Sequence, residues 1–299
     1  CRAEKNGYSG YQQLFMGDND CNPAAMKEII FPIRQDGLKA RAYAGTTYLV
    51  SAATIGGMPY ASTGDPWKCM FARENLIEKF FPNKNDIPKA TVDDVLKNPS
   101  KEQVIAKDSE KGISTADVIA KAKDDRALLY MGVGGCEEGK VRTINPGEAI
   151  TGPLNGASFV KWSNLHADGS TQHDQNYSDT DFPVFRLAEI YLTRAEAKYR
   201  LGQDGLDDIL KVQDRAHRAS KATSVNEQTL IDEWCREFFM EGRRRSDLVR
   251  FGLYTGSKYL WSFKGGAEKG AGVPSYYNIY PIPDNEIKNN PNMTQNPKY

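Results

Sequence analysis

The chain has 299 residues, long enough to bury a sizeable core in one large domain or two ordinary ones. Hydrophobic residues make up 39% and charged residues 26%, and no apolar run reaches the ~18 residues that a membrane helix needs. Lysine plus arginine and aspartate plus glutamate stand at 39 each, so there is no global field to collect a polyanion; a neutral ligand fits better and nucleic acid is not expected.

The first residues, CRAEKNGYSGYQQLFMGDND, hold no charged start followed by an apolar export segment. Cys1 could be a lipidated mature terminus, but Arg2-Ala3-Glu4-Lys5 reads as helix interior, and the expectation is a chain that starts mid-domain. Cys1, Cys21, Cys69, Cys136 and Cys235 are widely spaced, form no CxxC, and are expected to be small buried side chains.

Up to about residue 180 the sequence is rich in Gly, Pro, Asn and aromatics. Residues 44–69, AGTTYLVSAATIGGMPYASTGDPWKC, read as loop and short strand from their punctuation. Short helices are expected over Phe71–Phe81, Ser114–Lys123 and Asp124–Tyr130. Three motifs carry no chemistry. Asp18, Asp20 and Asn22 resemble half of an EF-hand, but Pro23 takes the glycine position and Ile29 that of the bidentate acid. GGCEEGKV, from Gly134, fits GxxxxGK, yet Val141 replaces the magnesium-binding hydroxyl and two glutamates sit where phosphate should lie. His166 and His173 lie in a polar loop and His217 is placed on a helix; each reads as a solvated or capping histidine, and no Ser/His/Asp order appears.

From Phe182 the pattern changes. Leu187, Ala188, Tyr191, Leu192, Ala195 and Tyr199 fall at helical spacing and Gly202 follows as a stop. A second helix starts near Leu206 with Ile209, Leu210, Val212, Ala216 and Ala219 apolar, and the two make a tetratricopeptide-type hairpin. A third, capped from Ser224 (with Glu227) or Thr229 (with Asp232), runs through Glu233 and Phe239. It leads into EWCREFFMEGRRRSDLVRFG, residues 233–252, with five arginines and four acids. On that helix Glu237 faces position 241, Glu241 faces Arg245, and Arg243 could face Asp247 across i,i+4 steps. Exposed pairs contribute only about 0.3–0.5 kcal/mol each, too little to account for nine charges, so a partly buried clamp that caps crossing chain is expected. The interleaved acids cancel the field of RRR as a nucleic-acid patch. The tail YYNIYPIPDNEIKNNPNMTQNPKY is too rich in Pro and Asn for a helix and too aromatic for plain disorder, and is expected to lie ordered with charged side chains satisfying its backbone.

DTDFPVFRLAEIYLTRAEA, REFFMEGRRRSDLVRFG and YPIPDNEIKNNPNMTQNPKY, in that order, resemble the closing signatures of the SusD/RagB family. AMKEIIFPIRQDGLKARAYAGTTYLV, PWKCMFARENLIEKFF, DDRALLYMGVGG and KYLWSFKGG resemble its starch-binding members, so the similarity runs over nearly the whole chain. The resemblance implies a mainly α, SusD-like fold with tetratricopeptide-type helix pairs and a large irregular lobe. It makes the chain the C-terminal portion of one domain: residues 1–180 the loop-rich, glycan-facing lobe, 181–299 a helical segment with an ordered tail. It implies a surface-exposed outer-membrane lipoprotein, anchored through an N-terminal part not present here. Such a protein is not an enzyme: it captures an α-glucan (starch, maltooligosaccharide) and hands it to a SusC-like TonB-dependent transporter.

Two residues of the family's aromatic arc match Tyr43 and Trp67, and a structural calcium matches Asp20, Gln35, Asp179 and Asp181. Hard oxygen ligands from distant segments suit calcium, although the same aspartates also read as ordinary turn and cap residues. Sugar C–H faces stack on rings. Without the resemblance, Trp67 reads as a core tryptophan. Tyr48 and Tyr60 lie nearby and could extend the surface or simply pack; Ala42, Ala44, Asp65 and Pro66 give these rings a less Gly- and Asn-rich setting than in the starch binders. The rival readings are a glycoside hydrolase with two facing carboxylates and a helical-repeat scaffold for a peptide.

Overall fold

The computed structural model describes residues 4–54, 64, 66–67, 69–87, 115–130 and 156–299. Cys1, Tyr60, Asp65, Cys136 and the GxxxxGK segment lie outside them. The chain divides into two compact units, Cys1–Met240 and Glu241–Tyr299.

In the first unit, α1 (Pro23–Met26) starts where Asn22 accepts from the amides of Ala24 and Ala25, so this residue is a helix cap. β1 (Ile29–Ile33) follows, then α2 (Thr46–Ala53), α3 (Glu74–Phe80) and α4 (Thr115–Ala122). α2 corrects the loop-and-strand reading of residues 44–69. Thr46, Thr47 and Val50 look strand-like, but Gly45 turns the chain at φ +69° and the helix buries Thr46, Thr47, Val50, Ser51, Ala52 and Ala53, so packing overrides propensity. The helix expected over Asp124–Tyr130 is absent. Asp124 and Arg126 form a buried turn, and β2 (Leu129–Tyr130) pairs antiparallel with β3 (Ser158–Phe159). Residues 127–130 are all fully buried, and a run buried on every side carries no period to distinguish helix from strand.

β4 (Phe182–Arg186) lies antiparallel to β1 with Ile33 opposite Phe182, and leads into α5 (Leu187–Arg200). α5 stops at Gly202 (φ +71°) as its sequence indicates, and α6 (Leu206–Arg215) packs back on it. A methyl group at Gly205 would lie 2.6 Å from the Ala195 carbonyl oxygen, which is how closely this hairpin approaches. His217 falls in the turn beyond α6, at φ +48°, with Nδ1 2.8 Å from Asp125. α7 (Glu227–Phe238) is capped by Asn226, whose oxygen accepts from the Thr229 amide, in place of Ser224 or Thr229.

The core gathers Tyr11, Phe15, Phe80, Phe81, Trp162 and Phe239, with Phe15 edge-on to Trp162 at 4.9 Å. Beside it lies a buried ionic network on α7. Arg126 bonds Glu233 at 2.6 Å and Glu237 at 3.1 Å, Arg186 bonds Glu237 at 2.5 Å, Arg215 bonds both Glu237 and Glu28, and Arg236 bonds Glu233 at 2.6 Å. Burial by itself would raise the Glu233 carboxyl, but Arg126 and Arg236 hold it down at about 2. Glu237, opposed by Arg215, Arg186 and Arg126, is likewise held far below the usual carboxylate range. The backbone oxygens of Glu237 and Phe239 at the helix end accept from the Lys161 ammonium, a cation where the helix dipole is negative.

The long charged helix ends early. Phe239 is extended, and Met240 (φ +60°) and Gly242 (φ +77°) turn the chain before α8 (Arg244–Arg250). The i,i+4 geometry therefore survives at Arg243–Asp247, 3.5 Å, and not across the break. Within the second unit Arg245 lies 3.7 Å over the Tyr280 ring and donates to the Tyr277 carbonyl at 2.7 Å, which is the bracing expected of the charged segment. The tail contains a short helix, α9 (Asp284–Asn289), which its composition did not indicate. Pro283 precedes it and Asp284 and Glu286 occupy its first turn. The Gln295 side chain bonds both the amide and the carbonyl of Ile282, substituting for a strand partner. Cys235 is buried as expected, whereas Cys21 and Cys69 are exposed free thiols.

Candidate functional site

The aromatic pair is assembled by α2. Tyr43 lies just ahead of the Gly45 turn, Tyr48 in the first helical turn, and Trp67 returns to the helix end, its amide donating to Ser51 O at 2.9 Å. The following chain is fixed by Cys69 and Met70 amides on Ala52 O. Tyr43 is 60% exposed and Trp67 40%, which rules out the core-tryptophan reading. Their ring centroids are 6.5 Å apart with planes at 45°. Tyr48 meets Trp67 at 5.8 Å and 57°, so it belongs to the same surface. Tyr43 also meets Tyr177 at 4.8 Å and 40°, a ring that sequence reasoning missed. Tyr177 lies 134 positions downstream of Tyr43 by numbering, and only tertiary contacts bring it there: the Ser178 amide donates to Thr47 Oγ1, and Gly64 N to Gln175 O. Rings tilted by these angles make a faceted surface, exposed at Tyr43, Tyr48 and Trp67 and half-buried at Tyr177. Two clefts, about 400 Å³ around Thr229 and Arg236 and about 330 Å³ around Tyr191 and Arg215, lie at other residues.

The four oxygen-bearing residues form a second corner. Asn19 bonds the Asp181 backbone through both its amide oxygen and nitrogen, at 2.9 Å each, which ties the loop at 18–22 to residue 181. The Gln35 backbone amide donates to Asp181 Oδ1 at 2.8 Å. The Arg34 guanidinium spans Asp20 (3.6 Å) and Asp181 (3.5 Å), placing a positive charge between them. Burial pushes the Asp181 carboxyl up to about 6. Three buried oxygens here have no hydrogen-bond partner: Gln35 Oε1, Asp179 Oδ1 and Asp181 Oδ2. Gly37 lies against one of them, since a methyl there would come within 2.3 Å of Asp179 Oδ1. Gln35 Oε1 and Asp179 Oδ1, together with Asp181 Oδ2 that only the Arg34 guanidinium approaches, are hard oxygens of the kind a calcium donor set uses. Among the described residues no three Asp, Glu, His or Cys side chains converge into a ready metal cage.

His166 is not solvated. Its ring is buried, with Nε2 3.0 Å from Asp179 Oδ2 and Nδ1 2.7 Å from Ser170 Oγ, and the bond to Asp179 raises its pKa. Ser170, His166 and Asp179 are the residue types of a hydrolytic triad. Here the serine sits four residues from the histidine in one turn, and Asp179 Oδ2 also accepts the His173 amide at 2.9 Å. The arrangement orients Asp179 and leaves its other oxygen facing the corner.

A family model described as SusD family matches residues 27–299. The chain belongs to the SusD family. It is 52% identical over 296 residues to the starch-binding protein SusD of Bacteroides thetaiotaomicron, covering 97% of this chain and 52% of that protein. A SusD-like protein from Bacteroides fragilis superposes over all of this chain and 59% of its own, with a TM-score of 0.58 at 16% identity. Surface glycan-binding protein A from B. thetaiotaomicron superposes over 96% and 54%, with a TM-score of 0.56 at 18% identity. These structures share the SusD fold, mostly helical with few strands. The chain spans about half the length of the relatives it matches.

Proposed function

We propose that this SusD-family chain binds an α-glucan at the ring surface and releases it unchanged. The observation that carries this reading is the pairing of Tyr43 and Trp67, both exposed and 6.5 Å apart, in a chain 52% identical to a starch-binding protein. Rings take the apolar faces of neutral sugars, and a chain with no net charge has no need of a charged ligand. Each stack is worth about 0.5–1.5 kcal/mol beyond area burial, so single-site binding is weak and a polymer held at several sites compensates through effective concentration. In the whole protein, capture at the outer-membrane surface by a lipid-anchored molecule would feed a SusC-like TonB-dependent transporter. Calcium would be held by Asp20, Gln35, Asp179 and Asp181, taking over the charge that Arg34 supplies, and would pin the loop at 18–22 to residues 179–181.

The test is isothermal titration against soluble polysaccharides together with Trp67→Ala. The variant should bind maltoheptaose about two- to tenfold more weakly, with an unshifted melting temperature. Unchanged affinity would remove Trp67 from the site. Surface glycan-binding protein A has been solved with laminarihexaose, so that sugar belongs in the panel as the alternative ligand. Release of reducing sugar from starch would overturn the non-enzymatic reading.

A further inference from the structure

Resting on the glycan reading above, we propose that Arg41 and Tyr177 form one further sugar subsite beyond Tyr43, with Tyr177 setting the tilt of the Tyr43 ring and Arg41 hydrogen-bonding the hydroxyls of an additional neutral sugar. The pieces are ordered in a chain. Asp174 Oδ1 accepts from the amides of Asn176 and Tyr177 (2.7 and 3.2 Å), which shapes the turn presenting Tyr177. The other Asp174 oxygen lies 3.6 Å from Arg41 Nη1. The Arg41 guanidinium covers one side of the Tyr177 ring at 4.7 Å, and Tyr43 meets that ring at 4.8 Å. The Tyr43 side chain beside it pushes the Tyr177 phenol up.

The geometry does more than the fold requires. The loop leading to Arg41 is closed by Asp36, whose Oδ1 accepts from the amides of Leu38, Lys39 and Ala40, so no arginine is needed to shape it. Arg41 remains 45% exposed with one edge on Asp174 and its face on Tyr177. A planar guanidinium held in that way presents its outer N–H groups in a fixed direction. Stacking rings followed by a preorganised donor is the composition of a polar end to a sugar platform, where the ring contacts give affinity and the donor reads hydroxyls. Tyr43 meets both Trp67 and Tyr177, so in the order of ring contacts the subsite comes one ring after Tyr43, and short ligands centred on Tyr43 and Trp67 would not reach it.

The experiment titrates the full chain, Arg41→Ala, Arg41→Lys, Tyr177→Phe and Tyr177→Ala with maltotriose, maltoheptaose and laminarihexaose, with a melting curve for each variant. Arg41→Ala should weaken maltoheptaose roughly five- to tenfold and leave maltotriose within about twofold. Arg41→Lys keeps the charge but not the fork and should show the same chain-length-dependent loss. Tyr177→Ala should weaken both maltooligosaccharides, because Tyr43 loses its support, and Tyr177→Phe should do so by less. Equal maltoheptaose affinity in Arg41→Ala, or equal losses on the short and long sugar, overturns the subsite while the glycan reading stands. If the unmutated chain binds none of the three sugars, the glycan reading fails and the subsite with it.

Discussion

Replacing Glu237 with glutamine tests whether the charges of α7 are the buried clamp described above. The Glu237 side chain is fully buried and receives Arg186 at 2.5 Å, Arg126 at 3.1 Å and Arg215. Glutamine keeps the volume, so no cavity term enters, but it turns an acceptor for three guanidinium groups into a neutral amide with donors of its own. Removing one partner of a buried ion pair costs about 3–5 kcal/mol. Compensation is partial: Arg126 keeps Asp124 and Glu233, and Arg186 and Arg215 keep Glu28 at 3.3 and 2.9 Å. The loss should therefore sit near the lower bound, about 3 kcal/mol, which for a unit of this size lowers Tm by roughly 6–12 °C. Urea unfolding followed by the fluorescence of Trp162 and Trp234, with a parallel thermal scan, measures it. A loss under about 1 kcal/mol would mean that the network is hydrated and contributes no more than surface pairs do.

Acid should act on the same groups. Glu233 falls from its ordinary 4.5 to about 2 in the folded chain, so its stabilisation is complete above pH ~4.5 and is lost as pH falls toward 2; a urea midpoint flat between pH 3 and 6 would contradict this. Chelation by EGTA should lower Tm if calcium occupies the corner at Asp181, and Asp181→Asn should abolish that difference; identical curves with and without chelator would count against the metal. Arg245→Ala removes the contact with the Tyr280 ring and the bond to Tyr277 O, and should loosen the tail by about 1 kcal/mol, read as faster amide exchange over residues 275–299.

The legible parts of the sequence were those whose contacts are local or periodic. The hairpin of α5 and α6 announced itself by one apolar face and Gly202, and the exposed position of Trp67 followed from the resemblance, not from its own neighbourhood. Short buried segments mislead in both directions. Thr46–Ala53 looked like strand and is helix, while Leu129–Tyr130 looked helical and is strand, since neither is long enough for a period to outweigh its packing. His166 and Tyr177 were invisible for another reason: their partners, Asp179 and Tyr43, lie elsewhere in the chain, and no spacing rule encodes such meetings.

By itself the sequence determined the neutral charge balance, the helical hairpin and the alternating charges of residues 233–252. Tertiary structure alone decided what those charges do. The turn at Met240 and Gly242 separates the glutamates, buried among four arginines brought from residues 126, 186, 215 and 236, from Arg245, which holds the tail. Local order follows from propensity and periodicity, whereas the energy of a charge depends on which distant groups and how much water surround it.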